Sequence, residues 1–526
     1  MRGGAMSKGE PLIALQMDIE VVFMGPVVAW LALFLGYIVS VKGLDFNYTE
    51  ALSKSIIFLE AQRSGKLPSN NRVPWRGDSG LDDGKEANVF DFRLKWIQED
   101  LVGGYYDAGD NVKYGLPMAF TITTLAWSAI AYQSELESAG EWKNVKDAIR
   151  WGTDYFLKTA SKRRKLYVEV GDPVKDHKCW MRPENLKGPR RVLQIDEKTP
   201  GSEIAGETSA AMAASSMVFR HTDALYAREL LRKAKRLFNF AKDHKKTFDG
   251  ECPFYCSFSG FNDELSWAAA WLYSATNRIK YFKFLTEEAV SASVDEFNWD
   301  LKFAGTQILL SKFFFEGTRE FHTFNENADS YICSVLPQSP YHETYMTPES
   351  NSIRFDSVEY SGGLLHLRDG ANLQYATGAS LLFSVYGDLL KKFNRKIKCG
   401  NKPFESKHLL AFAKQQMDYI LGRNPQQRSY MVGFGKNPPK QAHHRGASIP
   451  LSEAKSNVDC GASFSKWLNR NAPNPNELTG AILGGPDKKD KFSDLRWTSV
   501  YTEPCTYINS LAVGALAKLT RPLQKS

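Results

Sequence analysis

Asp107 and Asp110 stand three residues apart in GGYYDAGDN, residues 103–111. In a turn or a first helical turn that spacing puts two carboxylates on one face. Like charges held so close are costly unless something uses them, such as a metal, a water to be activated or a polyhydroxylated ligand. Gly103, Gly104 and Gly109 allow backbone angles that other residues resist. Tyr105 and Tyr106 offer flat faces suited to sugar rings. The competing reading is structural: Asp110 or Asn111 caps a helix that begins near Leu116.

Three further loops carry reactive side chains. The first holds His177, Trp180 and Arg182 within six residues, a Trp to stack on a ring and a polar pair to hold hydroxyls. Its alternative is a loop pinned by its own Trp and prolines. The second holds His443, His444 and Arg445, a run suited to an anion or a hydroxyl. Adjacent histidines diverge on most backbones and no third ligand lies nearby, so this is not a metal site. The third holds Asp494 and Glu503. Glu503 directly precedes the last helix, where it either caps that helix or serves as a proton donor at a rigid helix mouth. Two carboxylate groups far apart in sequence, each in an aromatic, glycine-rich loop, fit glycosidic bond hydrolysis. There one acid protonates the leaving oxygen and one carboxylate acts on the anomeric side.

The elements that must position these loops read as helices. Apolar residues recur at three and four over 48–63, 116–136, 142–159, 204–219, 223–240, 264–276, 299–310, 373–390, 408–421 and 507–519. Strand-like alternation is scarce. The expectation is an all-α domain of about a dozen helices joined by long loops, which in a compact domain are usually functional. Residues 322–361 read as one such loop, without a strong constellation.

The chain has 526 residues, 43% hydrophobic, with 67 basic and 59 acidic side chains and a net charge of +8. It is globular, and its basic surplus is scattered, densest over 228–246 and 391–402. Each patch reads first as a solvated helix face, and second as affinity for acidic polymers such as pectin. No nucleic-acid motif is present. The seven cysteines form no C-x-x-C pair, and in an exported protein an odd count leaves at least one thiol unpaired. Residues 21–41 are apolar and long enough to span a bilayer. Cleavage as a signal peptide near Gly43 is preferred to an uncleaved anchor, and membrane association follows only from the anchor. Asn47-Tyr48-Thr49 is an N-glycosylation sequon. Residues 1–43 are therefore set apart from a single catalytic domain over 44–526.

These motifs together resemble plant endo-1,4-β-glucanases (cellulases) of glycoside hydrolase family 9, over about 46–519. Residues 64–68, 75–79, 100–121, 176–184, 443–448 and 503–509 carry the resemblance. It implies an (α/α)6 barrel with an open cleft and hydrolysis of internal β-1,4-glucosidic bonds with inversion. It implies Asp110 as the general base, Asp107 as its companion on the water and Glu503 as the general acid. His443 and Arg445 match the sugar-binding His-x-Arg element, and Asp494 matches the acidic residue of the C-terminal signature. His177, Trp180 and Trp299 are similar to cleft residues. Inversion needs the two carboxyls about 6.5–9.5 Å apart, with room for a water. The resemblance implies no cofactor, a β-1,4-glucan partner, a monomer, and an extracellular or cell-wall location.

Three departures stand out. Phe90 to Glu99 is extra, just ahead of the Asp pair. A shift of about 1 Å there would cost about 100-fold in rate, so the alternative is an impaired glucan-binding homologue. Ala442 replaces a larger aliphatic, and Ser499 stands where the family has an aromatic.

Overall fold

The computed structural model describes residues 46–91, 95–347, 353–355, 358–360 and 363–521. The apolar stretch 21–41 and its processing lie outside them. Among the described residues no helix is long and apolar enough to cross a membrane.

Twelve helices alternate between an outer and an inner position. The outer ones are α1 (Tyr48–Ala61), α3 (Trp142–Thr159), α5 (Ala224–Asp243), α7 (Ile279–Lys283), α9 (His322–Val335) and α11 (Ser406–Leu421). The inner ones are α2 (Gly115–Ala131), α4 (Ser202–Phe219), α6 (Asn262–Thr276), α8 (Phe303–Phe315), α10 (Leu373–Lys392) and α12 (Thr506–Leu519). Each inner helix packs on the next, α2 on α4, then α6, α8, α10 and α12, and α12 returns to α2. The ring is closed, and the architecture is an (α/α)6 barrel.

Composition sorts the two layers. The inner helix α4, SEIAGETSAAMAASSMVF, is buried almost all round, as expected for a helix with no polar face. Small residues let its neighbours approach: a Cβ on Gly206 would stand 3.0 Å from Glu264 Cβ. The outer helix α5 buries Ala227, Leu230, Ala234, Leu237, Phe238 and Ala241. That is one stripe at three- and four-residue spacing, and each large side chain in it contributes about 1.5–3 kcal/mol.

Because an outer helix returns the chain before every inner one, all six inner helices run the same way. Their N-termini gather at one end, and so do the loops that precede them. All the chemistry-bearing loops identified above precede inner helices.

Two segments differ from the sequence expectations. Residues 322–335 form α9 rather than loop. Phe324, Ala328, Tyr331, Ile332 and Val335 make its buried face, but Asn325, Asn327, Asp329 and Ser330 are poor helix formers that dilute the pattern. Residues 299–302 stay outside α8, whose first residue is Phe303.

The extra segment 90–99 pairs within itself and with Asn88 and Val89 just before it. Strand β1 (Asn88–Asp91) runs antiparallel to β2 (Lys95–Gln98), with Asn88 opposite Gln98. The base is pinched, since Leu101 N donates to Asp83 O at 3.1 Å. Downstream, the chain is tied by groups outside the hairpin. Trp151 Nε1 donates to Gly104 O at 2.8 Å, Lys158 Nζ to Val102 O at 2.7 Å, and Ser64 N to Gly104 O at 2.9 Å. Buried Lys113 pairs with Asp83 at 2.7 Å and donates to Leu101 O at 2.7 Å. The two ends of the hairpin are thus closed before the Asp pair begins.

Candidate active site

The loop 103–111 enters the cleft after two glycines at φ +114° and +74°. Gly104 also has no room for a side chain, since a Cβ would meet the Tyr155 ring at 2.8 Å. Gly109 serves differently from the expectation. Its φ is not positive; its bare Cα lets the chain pass the His443 carbonyl, which a Cβ would meet at 2.1 Å. Through that contact the loops before α2 and α12 interlock. Gly109 N donates to Glu503 Oε1 at 3.0 Å, Arg445 N to Gly109 O at 3.1 Å, and Thr506 N to Asp107 O at 3.0 Å.

Asp107, Asp110 and Glu503 therefore converge, with Arg445 and His177 beside them. Asp110 is not a helix cap. Its Oδ1 accepts from Val112 N at 3.1 Å in a local turn, and α2 has Tyr114 at its cap position. Glu503 does not cap α12 either, where Cys505 holds that position. Burial, and then Asp176, push Asp110 up to about 7, against the pull of Arg445 and His177. Burial raises Glu503, while the Gly109 N–H, Arg445 and His177 oppose it. Burial holds Asp107 well above the usual carboxylate range, Asp110 and Glu503 adding to it. Carboxyls crowded in this way retain a proton among them near neutrality, the condition for pairing an acid with a base.

Asp107 has a partner that sequence reasoning missed. Tyr255 donates its hydroxyl to Asp107 Oδ2. That Tyr sits in a loop closed by the Cys252–Cys256 disulfide, edge-on to Trp299 with ring centroids 4.8 Å apart. Trp299 is half-buried, and its carbonyl accepts from buried Lys302, which also reaches Glu264 at 2.7 Å. The remaining oxygen of Asp107, Oδ1, has no protein partner.

His443 and Arg445 reach the group from the loop between α11 and α12. His443 Nδ1–H donates to Arg496 O at 2.6 Å, which leaves Nε2 as an acceptor. Burial lowers His443 to about 4, so it is neutral at ordinary pH. Arg445 pairs with Asp176, a second residue to which no role was assigned from sequence. His444 turns away. Its Nδ1 accepts from Ala447 N at 3.0 Å, so Nε2–H donates to Gln62 Oε1 at 2.7 Å. Gln62 Nε2 then donates to Ala108 O at 2.6 Å, bracing the Asp loop from behind.

His177 is part-exposed, stacks on Phe254 at 4.9 Å and places Nε2 3.8 Å from Asp110 Oδ2. Asp110, Asp176 and His177 bring their ligand atoms within 4.8 Å of one another, a set able to hold a cation, though the Arg445 guanidinium on Asp176 opposes one.

Four sequence expectations meet a different environment. Tyr105 and Tyr106 are 1% and 2% exposed and so offer no face to a sugar. Their hydroxyls bond Ala148 O at 2.8 Å and Ser79 Oγ at 3.0 Å. Trp180 is 2% exposed, lies edge-on beneath His443 and donates to Ser448 Oγ at 2.8 Å. Arg182 is fully buried on the carbonyls of Gly446 and Ile449, at 3.0 and 2.7 Å. Asp494 spends both oxygens on backbone amides, Lys440 N at 2.8 Å and Gln441 N at 3.0 Å, just ahead of His443. The unpaired thiol is Cys505, buried.

An (α/α)6 barrel with a convergent carboxylate cleft at the N-terminal end of its inner helices is a glycosidase architecture. The family model for glycosyl hydrolase family 9 matches residues 48–516. Endoglucanase 16 of Arabidopsis thaliana is 64% identical over 482 residues, 92% of this chain and 94% of that one. The endoglucanase of the termite Nasutitermes takasagoensis superposes with a TM-score of 0.74 at 34% identity, covering 91% and 99% of the two chains. The cellulase Cel9M of C. cellulolyticum, solved in complex with cellobiose, gives 0.73 at 30%, covering 90% and 98%. The chain belongs to glycosyl hydrolase family 9, and within it is an endoglucanase.

Proposed function

We propose that this endoglucanase cuts internal β-1,4-glucosidic bonds of cell-wall glucans with inversion at the anomeric carbon. The observation that carries the reading is the interlock at Gly109. It sets one carboxyl, Glu503, against a loop that holds two others. Glu503 is the general acid: its raised affinity for a proton suits donation to the leaving oxygen. Asp110 is the general base: burial pushes its carboxyl up to about 7, Arg445 and His177 favour its ionised form, and in that form it deprotonates the attacking water. Asp107, oriented by Tyr255, is the companion carboxylate that helps to hold the same water. His443 Nε2 accepts from a sugar hydroxyl, and Arg445 keeps negative charge tolerable around the anomeric centre. Asp494 is a positioning residue that holds the His443 loop. His177 and Trp299 border the sugar path, and Trp180 packs edge-on against His443. The chemistry needs no cofactor. The tied loop ends support normal geometry in spite of the 90–99 hairpin.

The test is hydrolysis of neutral hydroxyethylcellulose, and of a cello-oligosaccharide followed by NMR. The first product anomer is expected to be α. A β-anomer appearing first would overturn inversion and with it the roles of Asp110 and Asp107.

Tyr255→Phe removes the donor that lowers Asp107 and leaves a buried carboxylate without either partner. The expected result is a roughly tenfold lower kcat with little change in KM. The acid limb of the pH–rate profile should move to higher pH, because Asp107 then takes up its proton more readily. An unchanged limb would separate Tyr255 from the water-activating group.

We also propose that the protein is exported and acts as a monomer. Three disulfides, Cys179–Cys460, Cys252–Cys256 and Cys333–Cys399, support an oxidising compartment. Asn47, the sequon residue, is exposed, as a glycosylated side chain must be. Recovery of the chain in culture medium, glycosylated at Asn47, tests export.

A further inference from the structure

The outer wall of the barrel at α5 carries a concentration of positive charge that hydrolysis of a neutral glucan does not use. Three separate segments build it. Arg163 comes from the turn after α3, Lys235, Arg236 and Lys242 from α5, and Arg278 and Lys280 from the start of α7. Arg163, Arg278 and Lys280 are exposed, and the other three are half-buried. Lys233, buried in α5, donates to Ala160 O at 2.6 Å and ties the first segment to the second.

Acidic residues answer only part of this charge. Among the described residues, Glu229 pairs with Arg232 at 2.6 Å and Glu288 with Lys242 at 2.8 Å. Lys235, Arg278 and Lys280 form no ion pair there. The cations also press on one another. After burial, Arg278 and Lys280 lower Lys235, Arg278 and Lys242 lower Lys280, and Arg232 lowers Arg236, with Arg163 adding to it. Like charges gathered from three segments, uncompensated, oppose folding. A polyanion laid across them relieves that repulsion.

We propose that this face docks a linear polyuronate, a polysaccharide whose sugar units carry carboxylates. The choice of polymer rests on the export reading above. In an oxidising compartment outside the cell, carboxylated polysaccharides are the extended polyanions that lie beside a β-glucan. Arg163 and Arg278, both exposed, present planar guanidinium forks that match carboxylates, whereas Arg236 spends Nη2 on Ala160 O. None of these residues belongs to the carboxylate cleft, so docking leaves the cleft free and holds the enzyme close to its substrate.

Retention of the purified full chain on immobilised polygalacturonate tests the proposal. The parent should bind at low ionic strength and release as salt rises, as screened surface charge requires. Lys235→Glu/Arg278→Glu/Lys280→Glu should weaken binding about tenfold or more and leave hydrolysis of hydroxyethylcellulose unchanged. The corresponding triple Gln variant should lie between. Failure of the parent to bind, equal binding by the Glu variant, or tighter binding to RNA or to anionic vesicles than to polygalacturonate would overturn it. Binding is measured with purified components, so it stands or falls separately from export, which the culture-medium experiment decides.

Discussion

Glu503→Gln loses about 10²–10⁴-fold in kcat on cello-oligosaccharides, the range general acid catalysis supplies, with folding nearly intact. The amide keeps the shape of the side chain and still accepts from Gly109 N, which stands 3.0 Å from Oε1. What disappears is the transferable proton. The loss should therefore depend on the leaving group. On an aryl cellobioside, whose phenolate leaves without protonation, the variant should recover much of the parent rate. On cellopentaose it should not. Equal losses on both substrates would mean that Glu503 does something other than protonate the glycosidic oxygen. Undiminished activity on cellopentaose would remove it from the mechanism.

Gly109→Ala is expected to lose about 10²-fold or more in kcat, although no functional group is changed. The added Cβ would stand 2.1 Å from His443 O and 3.0 Å from Glu503 Oε1. Two atoms cannot share that space, so the loop before α2 must move away from the loops before α12. A displacement near 1 Å at reacting groups costs about 100-fold, and the Gly109–Glu503 hydrogen bond opens at the same time. Stability should fall as well, by an amount typical of overpacking, about 1–3 kcal/mol. Kinetics at a temperature well below the melting transition separates the two effects. If circular dichroism reports a folded variant with parental kcat, the interlock is not what sets the carboxylates.

Much of this site is legible in the chain because its acids are embedded in distinctive local sequence. Asp107 and Asp110 sit in a glycine-framed loop, and Glu503 lies one turn from a long apolar helix. The inner helices are legible for the same reason that they are inner, being apolar or small over most of their length. Partners that meet only through the fold are another matter. Tyr255 reaches Asp107 across 148 positions and Arg445 reaches Asp176 across 269. Nothing in the residues around Tyr255 marks it as the partner of an acid so far away in the chain. Exposure is equally hidden. Tyr105, Tyr106 and Trp180 have the ring faces of sugar platforms, but the barrel places them under the cleft floor. Arg182 has the chemistry of a ligand-binding cation and uses it on carbonyls of the neighbouring loop. Helix α9 escaped because its asparagines obscure an apolar stripe that is nonetheless complete.

The first and last inner helices, α2 and α12, are neighbours, joined by hydroxyl pairs such as Thr121–Thr506 at 2.9 Å and Thr124–Ser510 at 2.7 Å. Asp110 and Glu503 lie on either side of that seam, and the Gly109–Glu503 bond spans 394 positions of sequence. Contacts so remote in sequence form late and slowly, because a long loop must close before they reward it. On the roles proposed above, a chain still emerging from the ribosome carries Asp110 long before Glu503 is there to face it. The catalyst does not exist in part: hydrolytic competence arrives with the final turn of the ring, and until then a nascent or truncated molecule is harmless to any glucan it meets.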